Sequence, residues 1–410
     1  MDFELSHEQR LWQQEVRAFL AENADDSLRA DIFDGAELGD HDSPRVEDFY
    51  RRLAARGWHS INWPSEYGGL ARSAIDRMIF MHELDRAGAP PLELTVNGLA
   101  PVIIRCGTDE NKQMWLAKIA AHEVTFALGY SEPDAGTDLA SLKTRAELDG
   151  DEWVINGTKL WNSAVHHSTH VWMLVRTSTD VPKHRGLSLI IVPTDSKGIE
   201  YQAMQTWGEI RTNASSFVDV RVPKDHLIGE IGHGWEYIVA ALDLERMQVG
   251  ANAVALRRFL DEVLYHCSHT SVDGRLLIER PEIRHRIAEL MVEVDVVDLL
   301  SLEIASAIDR GETATVAATT QKVMSSELRT KVADFAMNAC GLSGQIRHTD
   351  PRLPMGSQAE FLYRQAPVRR FAGGTNEVMR DVIAQRGLGL PRSPRGGRDE
   401  RHVAAPSGDS

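Results

Sequence analysis

The sequence has little cysteine: only Cys106, Cys267 and Cys340 occur in 410 residues. No two of them have a CxxC or similar spacing, which argues against a disulfide framework and against a cysteine zinc site. Basic residues are also fewer than acidic ones. The chain has 45 Lys and Arg and 60 Asp and Glu, which gives a formal net charge of -15. Such a surface repels nucleic acid and anionic membranes, so we expect neither as a partner.

Long apolar runs are missing as well. No segment approaches the roughly 18 uninterrupted apolar residues of a membrane span, and the N-terminus lacks a basic stretch followed by an apolar run. We therefore expect a cytoplasmic protein that does not enter a membrane. A content of 42% hydrophobic and 26% charged side chains is typical of a globular chain with a sizeable core and two or three domains.

Helical patterning occupies the first part of the chain. Trp12, Val16, Phe19 and Leu20 fall on one stripe of an amphipathic helix. The pattern continues to about residue 125, with a loop at residues 63–69. We predict an N-terminal helical domain over residues 1–125.

The period changes from about residue 126, and we predict a middle β domain over residues 126–232. Short β-rich runs lie at residues 153–155, 171–175 and 187–192. In a last run, Val218, Val220 and Val222 alternate with polar residues, which predicts that these three valines share one face.

Helical patterning then returns and predicts a C-terminal helical domain over residues 233–390. It is clearest in the stripe formed by Ile283, Ile287, Leu290, Val294 and Val297. The remaining residues, 391–410, have almost no apolar side chains, so we expect a disordered tail. The order helical, β, helical predicts an α+β fold.

Two neighbouring segments form the densest motif. Residues 130–138 read YSEPDAGTD, and residues 155–163 read INGTKLWNS. Each has an ordinary explanation, because the first is rich in turn residues and the second could be a hairpin built on Asn156-Gly157. The residues alone leave this explanation open.

Together the two segments resemble the middle-domain signature of acyl-CoA dehydrogenases. The resemblance covers nearly the whole chain, from residues 57–69 through residues 217–223 to the Gly374-Thr375 turn. It implies an N-terminal helical domain, a middle β-barrel-like domain and a C-terminal four-helix bundle. It also implies that FAD is held between the last two domains and a neighbouring subunit, in a dimer of dimers.

The resemblance implies which residues contact FAD. Ser163 would bond the flavin near N5, Trp161 would pack against the ring, and Ser131 would contact the pyrimidine side. Donors at these atoms stabilise the negative charge that arrives with a hydride. The full set implied for the cofactor is Tyr130, Ser131, Thr137, Trp161, Ser163, Thr375 and Glu377. Glu377 departs from the neutral glutamine that related enzymes often have there, and an acid beside a diphosphate is unfavourable unless it points away.

The catalytic base needs a separate argument, because Gly373 stands where many family members have a glutamate. The isovaleryl and long-chain branches place the base on a bundle helix directly before an arginine, and Glu245-Arg246 matches that position. Periodicity also puts Glu245 on an apolar stripe with Ile238 and Val249, where burial would raise its pKa as a base for an α-proton requires. A buried ion pair within the bundle is the alternative.

The resemblance further implies an acyl-CoA substrate and an electron-transfer flavoprotein as acceptor. Asp243, Arg246, Gly374 and Thr137 would lie along the acyl-CoA channel, although Arg246 alone also suits a structural partner for a buried acid. Ser271 occupies the place of an arginine that reaches the neighbour's FAD in homotetramers. Some bacterial relatives that act on steroid side chains are α2β2 heterotetramers, and this combination fits their base-bearing subunit.

Two other functions remain as alternatives. A flavin monooxygenase or nitroalkane oxidase shares this fold, but the former lacks a proton-abstracting carboxylate and the latter has an aspartate at the position of Gly373. A non-catalytic subunit that only completes another chain's site is the second, and the presence of Glu245 argues against it.

Two further motifs favour ordinary explanations. His166, His167 and His170 lie in a β-rich region without an acidic ligand, so we predict no metal site there. The glycine-rich residues 229–234 do not follow a clean strand of a βαβ unit, so they are a weak match to a nucleotide-binding loop.

Overall fold

The computed structural model describes residues 4–33, 43–249, 253–347, 355 and 358–391, without the side chains of residues 242–249. Its first part is helical, as predicted. The helices are α1 (His7–Asn23), α2 (Asp26–Phe33), α3 (Pro44–Ala55), α4 (Ala74–Ala87), α5 (Ala100–Cys106) and α6 (Asp109–Ala120), and a π-helical turn (Thr95–Leu99) leads into α5.

Helix α1 illustrates why these elements form. Ser6 and Gln9 make a reciprocal capping box that satisfies two amide groups at its first turn. The predicted stripe is confirmed, because Trp12, Val16 and Phe19 are all buried. The indole of Trp12 packs edge-on against Trp58, with ring centroids 5.0 Å apart. The stripe therefore joins α1 to the core of the helical part.

The middle of the chain forms one mixed sheet. Its strands are β1 (Phe126–Gly129), β2 (Arg145–Asp149), β3 (Glu152–Leu160), β4 (His170–Arg176), β5 (Leu187–Pro193), β6 (Ile199–Gln205), β7 (Arg211–Pro223) and β8 (Leu227–Ile228). Their order is β6-β7-β3-β2-β4-β5-β8, and β1 runs parallel to β4.

Both faces of the sheet are covered around β4 and β5, which explains their continuous apolar runs. Trp172 and Leu174 face the core of the N-terminal helices, whereas Val171 and Met173 face a second core on the other side. The predicted strands at residues 153–155, 171–175 and 187–192 are confirmed.

The structure corrects one sequence prediction, for Val218, and excludes one alternative explanation, the hairpin at Asn156-Gly157. Val218 does not share the buried face of Val220, because Asp219 has φ 50° and the pairing with β3 is irregular at this point. The extra residue turns Val218 outward, where it is 62% exposed. Asn156-Gly157 does not form a hairpin turn but lies inside β3, and a Cβ on Gly157 would meet the Thr144 backbone at 2.6 Å.

The C-terminal part contains α7 (Gly234–Val249), α8 (Ala253–His269), α9 (Pro281–Asp309), α10 (Thr315–Cys340), α11 (Gln358–Gln365), α12 (Val368–Phe371) and α13 (Asn376–Val382), with a two-stranded ribbon of β9 (Ser271–Val272) and β10 (Arg275–Leu276). Helices α8, α9 and α10 share a core that includes Ile287, Leu290, Val294 and Val297. The predicted α9 stripe is thereby confirmed at these four positions.

The α+β fold class is confirmed, with helical first and last parts around a sheet. None of the described helices is both long enough and apolar enough to cross a bilayer. The tail predicted at residues 391–410 lies outside the described residues, apart from Pro391.

Candidate active site

Residues 130–132 leave the end of β1 and run beside the end of β3. The amide of Leu160 donates to the Ser131 carbonyl at 2.8 Å, and the Lys159 ammonium donates to the Tyr130 carbonyl at 3.0 Å. The Tyr130 ring is buried, and its hydroxyl accepts a hydrogen bond from the Trp172 indole at 3.0 Å. The structure therefore fixes Tyr130 and Ser131, two of the predicted cofactor residues, against β3.

A buried ion pair lies beneath this segment. Lys159 Nζ is 3.0 Å from Glu132 Oε1, with side-chain exposures of 0% and 7%. The Glu132 carboxylate also accepts the amides of Lys143 and Thr144 at 2.6 and 2.8 Å. Burial lowers the pKa of Lys159 to about 8 against the opposing attraction of Glu132. Because the carboxylate has a cation and two amide donors, the pair is well satisfied and holds the segment in one position.

Trp161 begins the turn after β3 with φ 65°, and 58% of it is exposed. The next residue, Asn162, is buried, and its side-chain oxygen accepts a hydrogen bond from the Ser215 hydroxyl at 2.9 Å. Ser163 follows, half-buried, with Oγ 3.5 Å from Thr212 Oγ1. The buried amide anchors a strained turn that leaves a large aromatic face in solvent. The exposed Trp161 ring can stack on the face of a flat ring system, and the Ser163 hydroxyl can hydrogen-bond to its edge.

Thr137 is exposed on the loop that follows residues 130–132. The next residue, Asp138, pairs with Lys183 at 2.6 Å. Lys183 and the Ser141 hydroxyl both lower the pKa of the Asp138 carboxyl. This contact ties the loop to the segment between β4 and β5.

The Gly373-Gly374 turn connects α12 to α13. Both glycines have positive φ, 65° and 98°, and a Cβ on Gly374 would lie 2.7 Å from the Met379 methyl group. These positions therefore favour glycine. Lys322, a buried residue of α10, donates to the Gly374 carbonyl at 2.7 Å and to the Arg370 carbonyl at 3.2 Å.

The residues after this turn begin α13. Thr375 is its N-cap and accepts the Val378 amide at 3.2 Å. Asn376 is fully buried, and its side-chain oxygen accepts a hydrogen bond from the Lys322 ammonium at 2.8 Å. Glu377 is exposed, and its own backbone amide and the Thr375 hydroxyl lower the pKa of its carboxyl. Helix capping accounts for both Thr375 and Glu377, so their contact with a cofactor stays a prediction.

The predicted base lies on α7, which packs against the π-helical turn (Thr95–Leu99) and against α10. Ile238, the first residue of its predicted apolar stripe, is fully buried. The side chains of Asp243, Glu245 and Arg246 lie outside the described residues, so their orientation and roles stay predictions.

The remaining candidates have ordinary surroundings. Ser271 is exposed on β9, two residues after the end of α8. His170 lies in β4, and burial lowers its pKa to about 4. The Asn213 side-chain nitrogen lies 3.3 Å from His166 Nδ1. Residues 229–234 join the two-residue strand β8 to α7, which differs from a nucleotide-binding loop after a long parallel strand.

Sequence reasoning missed Lys159 and Lys322, although the sequence held a signal for each. Trp153, Ile155 and Lys159 all lie on the inward face of β3, so strand alternation places the lysine inside. Helical spacing from Ala318 likewise places Lys322 on the buried stripe of α10.

Comparisons with known proteins give one consistent result. Models of the acyl-CoA dehydrogenase N-terminal, middle and C-terminal domains match residues 6–123, 127–220 and 232–388. The chain is 38% identical to acyl-CoA dehydrogenase FadE26 of Mycobacterium tuberculosis H37Rv over 361 residues, which is 85% of this chain and 90% of that relative.

Solved structures agree with the sequence comparison. A steroid ACAD, Tcur3481-Tcur3483, has a TM-score of 0.87 and 34% identity over 96% of this chain and 100% of that one. A chain of the ChsE4-ChsE5 complex from Mycobacterium tuberculosis has a TM-score of 0.86 and 34% identity, again over 96% of this chain and 100% of that one.

Proposed function

Because the chain belongs to the acyl-CoA dehydrogenase family and is an acyl-CoA dehydrogenase, we propose that it forms a trans double bond between C2 and C3 of a CoA thioester with FAD as its cofactor. One observation carries this proposal beyond the family name. The exposed Trp161 ring stands on a strained turn beside residues 130–132, which the buried Lys159–Glu132 pair holds in place. A fixed aromatic wall of this kind suits the flavin of FAD.

The residues around this wall fit FAD. Ser131 and Ser163 are half-buried hydroxyls on the segments that flank β3, so they would bond the polar edge of the flavin while Trp161 covers its face. Thr137 would meet the cofactor where the substrate chain enters, and Thr375 and Glu377 would lie toward the diphosphate. FAD, when bound, supplies the acceptor for the β-hydrogen and its electron pair.

The protein itself must remove the α-proton of the substrate. We assign the α-proton to the carboxylate of Glu245 on α7, because Gly373 has no side chain that accepts one. Helix α7 packs on the fully buried turn Thr95–Leu99, so an inward residue there has few waters to stabilise its charge. Asp243, Arg246 and Gly374 would line the acyl-CoA channel.

The substrate is proposed to carry a bulky acyl group derived from a steroid, and the assembly to be an α2β2 heterotetramer. The named relatives support this, since one is the Tcur3481-Tcur3483 steroid ACAD and another belongs to the ChsE4-ChsE5 complex. Ser271 supports it too, because a hydroxyl does not replace a guanidinium that grips the neighbour's diphosphate. An electron-transfer flavoprotein is the proposed acceptor.

Anaerobic bleaching of the flavin tests the proposal. The purified yellow protein is mixed with short, branched, long and steroid-derived acyl-CoA thioesters, with and without a candidate partner chain. We expect loss of the flavin absorbance with the steroid-derived thioester and formation of the enoyl product. Absence of bleaching with every thioester in both preparations would contradict dehydrogenation by this chain.

The same preparations test the assembly. A chain that binds about one FAD per subunit and turns over alone would contradict the heterotetramer while leaving the reaction intact. A chain that acquires FAD and activity only with a partner would support it.

A further inference from the structure

A second cluster of chemically capable side chains lies in the N-terminal helical part, apart from the segments described above. It consists of His59, which follows α3, Glu93, which precedes the π-helical turn, and His122, which follows α6. The two imidazoles are 1% exposed and the Glu93 side chain is 20% exposed. We call these three residues the His-Glu-His cluster.

The ligand atoms of this cluster converge on one point. Glu93 Oε2 is 3.1 Å from His59 Nε2 and 3.0 Å from His122 Nδ1, and the three atoms all lie within 4.8 Å of one another. A tetrahedral zinc site with bonds of about 2.0–2.2 Å separates its ligand atoms by roughly 3.3–3.6 Å. The two distances between the carboxylate and the imidazoles are therefore a few tenths of an ångström shorter than those of a zinc site.

One buried nitrogen at the centre of the cluster lacks a hydrogen bond. His122 Nδ1 makes none of acceptable geometry, despite its closeness to Glu93. A buried polar atom without a hydrogen bond is unfavourable unless another group satisfies it. A metal ion between Nδ1 and the carboxylate would do so.

The surroundings are also those of a metal ligand. The other nitrogen of His122, Nε2, is 3.0 Å from Glu47 Oε2, and a carboxylate in this position fixes which nitrogen faces a metal. The Tyr50 ring lies against both imidazoles, at centroid distances of 5.9 Å from His59 and 5.1 Å from His122. His122 has φ 57°, a strained conformation that places its side chain among residues far away in sequence.

The chemistry of the three donors decides which metal the cluster suits. Two nitrogen ligands and one carboxylate favour zinc or a similar transition metal over calcium or magnesium, which prefer oxygen.

We propose that His59, Glu93 and His122 form a site for one Zn²⁺, with Glu47 holding His122 in position. The fourth ligand would be a water molecule. An ion at this point joins the end of α3, the approach to the π-helical turn and the connection from α6 to β1. It thereby stabilises the surface on which α7 packs, without taking part in the reaction.

The test uses the full chain with its flavin, freed of metal by a chelator and then dialysed against Zn²⁺. We expect one Zn²⁺ per chain by elemental analysis and a higher melting temperature than the metal-free protein. His59→Gln should abolish both effects, and Glu47→Gln should weaken binding about 10- to 100-fold, as loss of a supporting carboxylate does elsewhere.

A matched control separates this site from casual binding by other histidines. His167→Gln changes a histidine whose ring centroid is 3.8 Å from that of His166, outside the cluster, and it should retain the ion and the thermal shift. If the parent protein takes up no Zn²⁺, or if His59→Gln binds it as well as the parent does, the cluster is only a hydrogen-bonded network. Should His59→Gln fail to fold, the parent stoichiometry and the Glu47→Gln affinity decide the matter.

Discussion

The two sides of the proposed cofactor site are both held by a buried lysine, but in different ways. On the β side, Lys159 donates to the Tyr130 carbonyl and forms an ion pair with Glu132. On the helical side, Lys322 donates to the carbonyls of Arg370 and Gly374 and to the Asn376 side chain. Lys159 holds the segment after β1 against the end of β3, and Lys322 joins the end of α12 to the start of α13.

The two sides therefore differ in their proposed roles, because the β side positions the cofactor and the helical side carries the base. The β side places an aromatic ring and hydroxyls on the turn after β3 and on the segment after β1, which buried polar contacts hold in position. The helical side carries the proposed base on α7 and a glycine turn that depends on packing between distant segments. We therefore expect changes on the β side to act on cofactor retention and fold stability, and changes on the helical side to act on turnover and substrate binding.

Replacement of the proposed base should separate the two sides most sharply. Glu245→Gln keeps the size of the side chain but cannot accept a proton, so we expect anaerobic flavin reduction to slow by about 10³-fold, within the usual range for a general base. Flavin content should stay near that of the parent. Rapid mixing with the bleaching substrate and absorbance of the bound flavin measure both quantities.

The matched control is Glu236→Gln on the same helix, where the side chain is 72% exposed. It should reduce the flavin at nearly the parent rate. If Glu245→Gln loses flavin but reduces each bound flavin at the parent rate, the helical side acts on cofactor retention. The proposed distinction between the β side and the helical side would then be wrong.

Loss of the β-side lysine should give the largest loss of stability. Lys159→Met leaves Glu132 buried without its cation, which destabilises a protein by about 3–5 kcal/mol. Residues 130–132 should loosen, and flavin content should fall while the rate per remaining flavin changes little. Chemical denaturation and the flavin-to-protein ratio measure these effects. Adding Glu132→Gln should recover part of the stability, and no recovery would mean that the ion pair is not the source of the loss.

Much of the fold was predictable because apolar periodicity is a local property. The α1 and α9 stripes are confirmed since each helix buries one face, and the continuous runs in β4 and β5 follow from burial on both faces. The prediction for Val218 is wrong for an equally local reason. A bulge adds one residue to the strand, and alternation cannot reveal where that happens.

The candidate site was predictable to a lesser degree. Resemblance selected Trp161 and Ser163, but the exposure of Trp161 depends on the burial of Asn162 against a strand some fifty residues later in the chain. The same holds for Lys322 and Gly374, which meet only through helix packing. Spacing indicates that Lys159 and Lys322 are buried, but contacts between distant segments leave no periodic signal, so neither the partners of these lysines nor the His-Glu-His cluster could be predicted from it.

Loss of the helical-side lysine should have a smaller effect of a different kind. Lys322→Met removes a donor from three oxygens, of which the Asn376 side-chain oxygen is buried, and we expect a destabilisation of about 2–3 kcal/mol after partial relaxation. The Gly373-Gly374 turn should shift, so we expect a higher KM for acyl-CoA with flavin content less affected than in Lys159→Met. Arg380→Met is the matched control. The exposed Arg380 guanidinium contacts Glu327 on α10, the helix that carries Lys322, and this contact should contribute less than about 1 kcal/mol to stability. If Lys322→Met and Arg380→Met change the free energy of unfolding and the KM equally, Lys322 does not hold the Gly373-Gly374 turn in place.

The smallest expected effect is a dependence of stability on pH that belongs to the β side. The pKa of Lys159 is about 8 in the folded protein, below its ordinary value of 10.5, because burial disfavours the ammonium. Between these two values the unfolded chain holds the proton more tightly, so stability should rise as the pH passes upward through 8. From pH 7 to pH 9 the gain is about 1 kcal/mol.

Denaturation curves of the parent and of Lys159→Met at both pH values test this dependence, because the variant lacks the titrating ammonium. The same pair in a Glu132→Gln background removes the contribution of Glu132, whose pKa that ammonium lowers. The parent should gain stability relative to the variant as the pH rises. A parent that gains no more than Lys159→Met would mean that water reaches the ammonium, and the β side would then owe its rigidity to strand pairing alone.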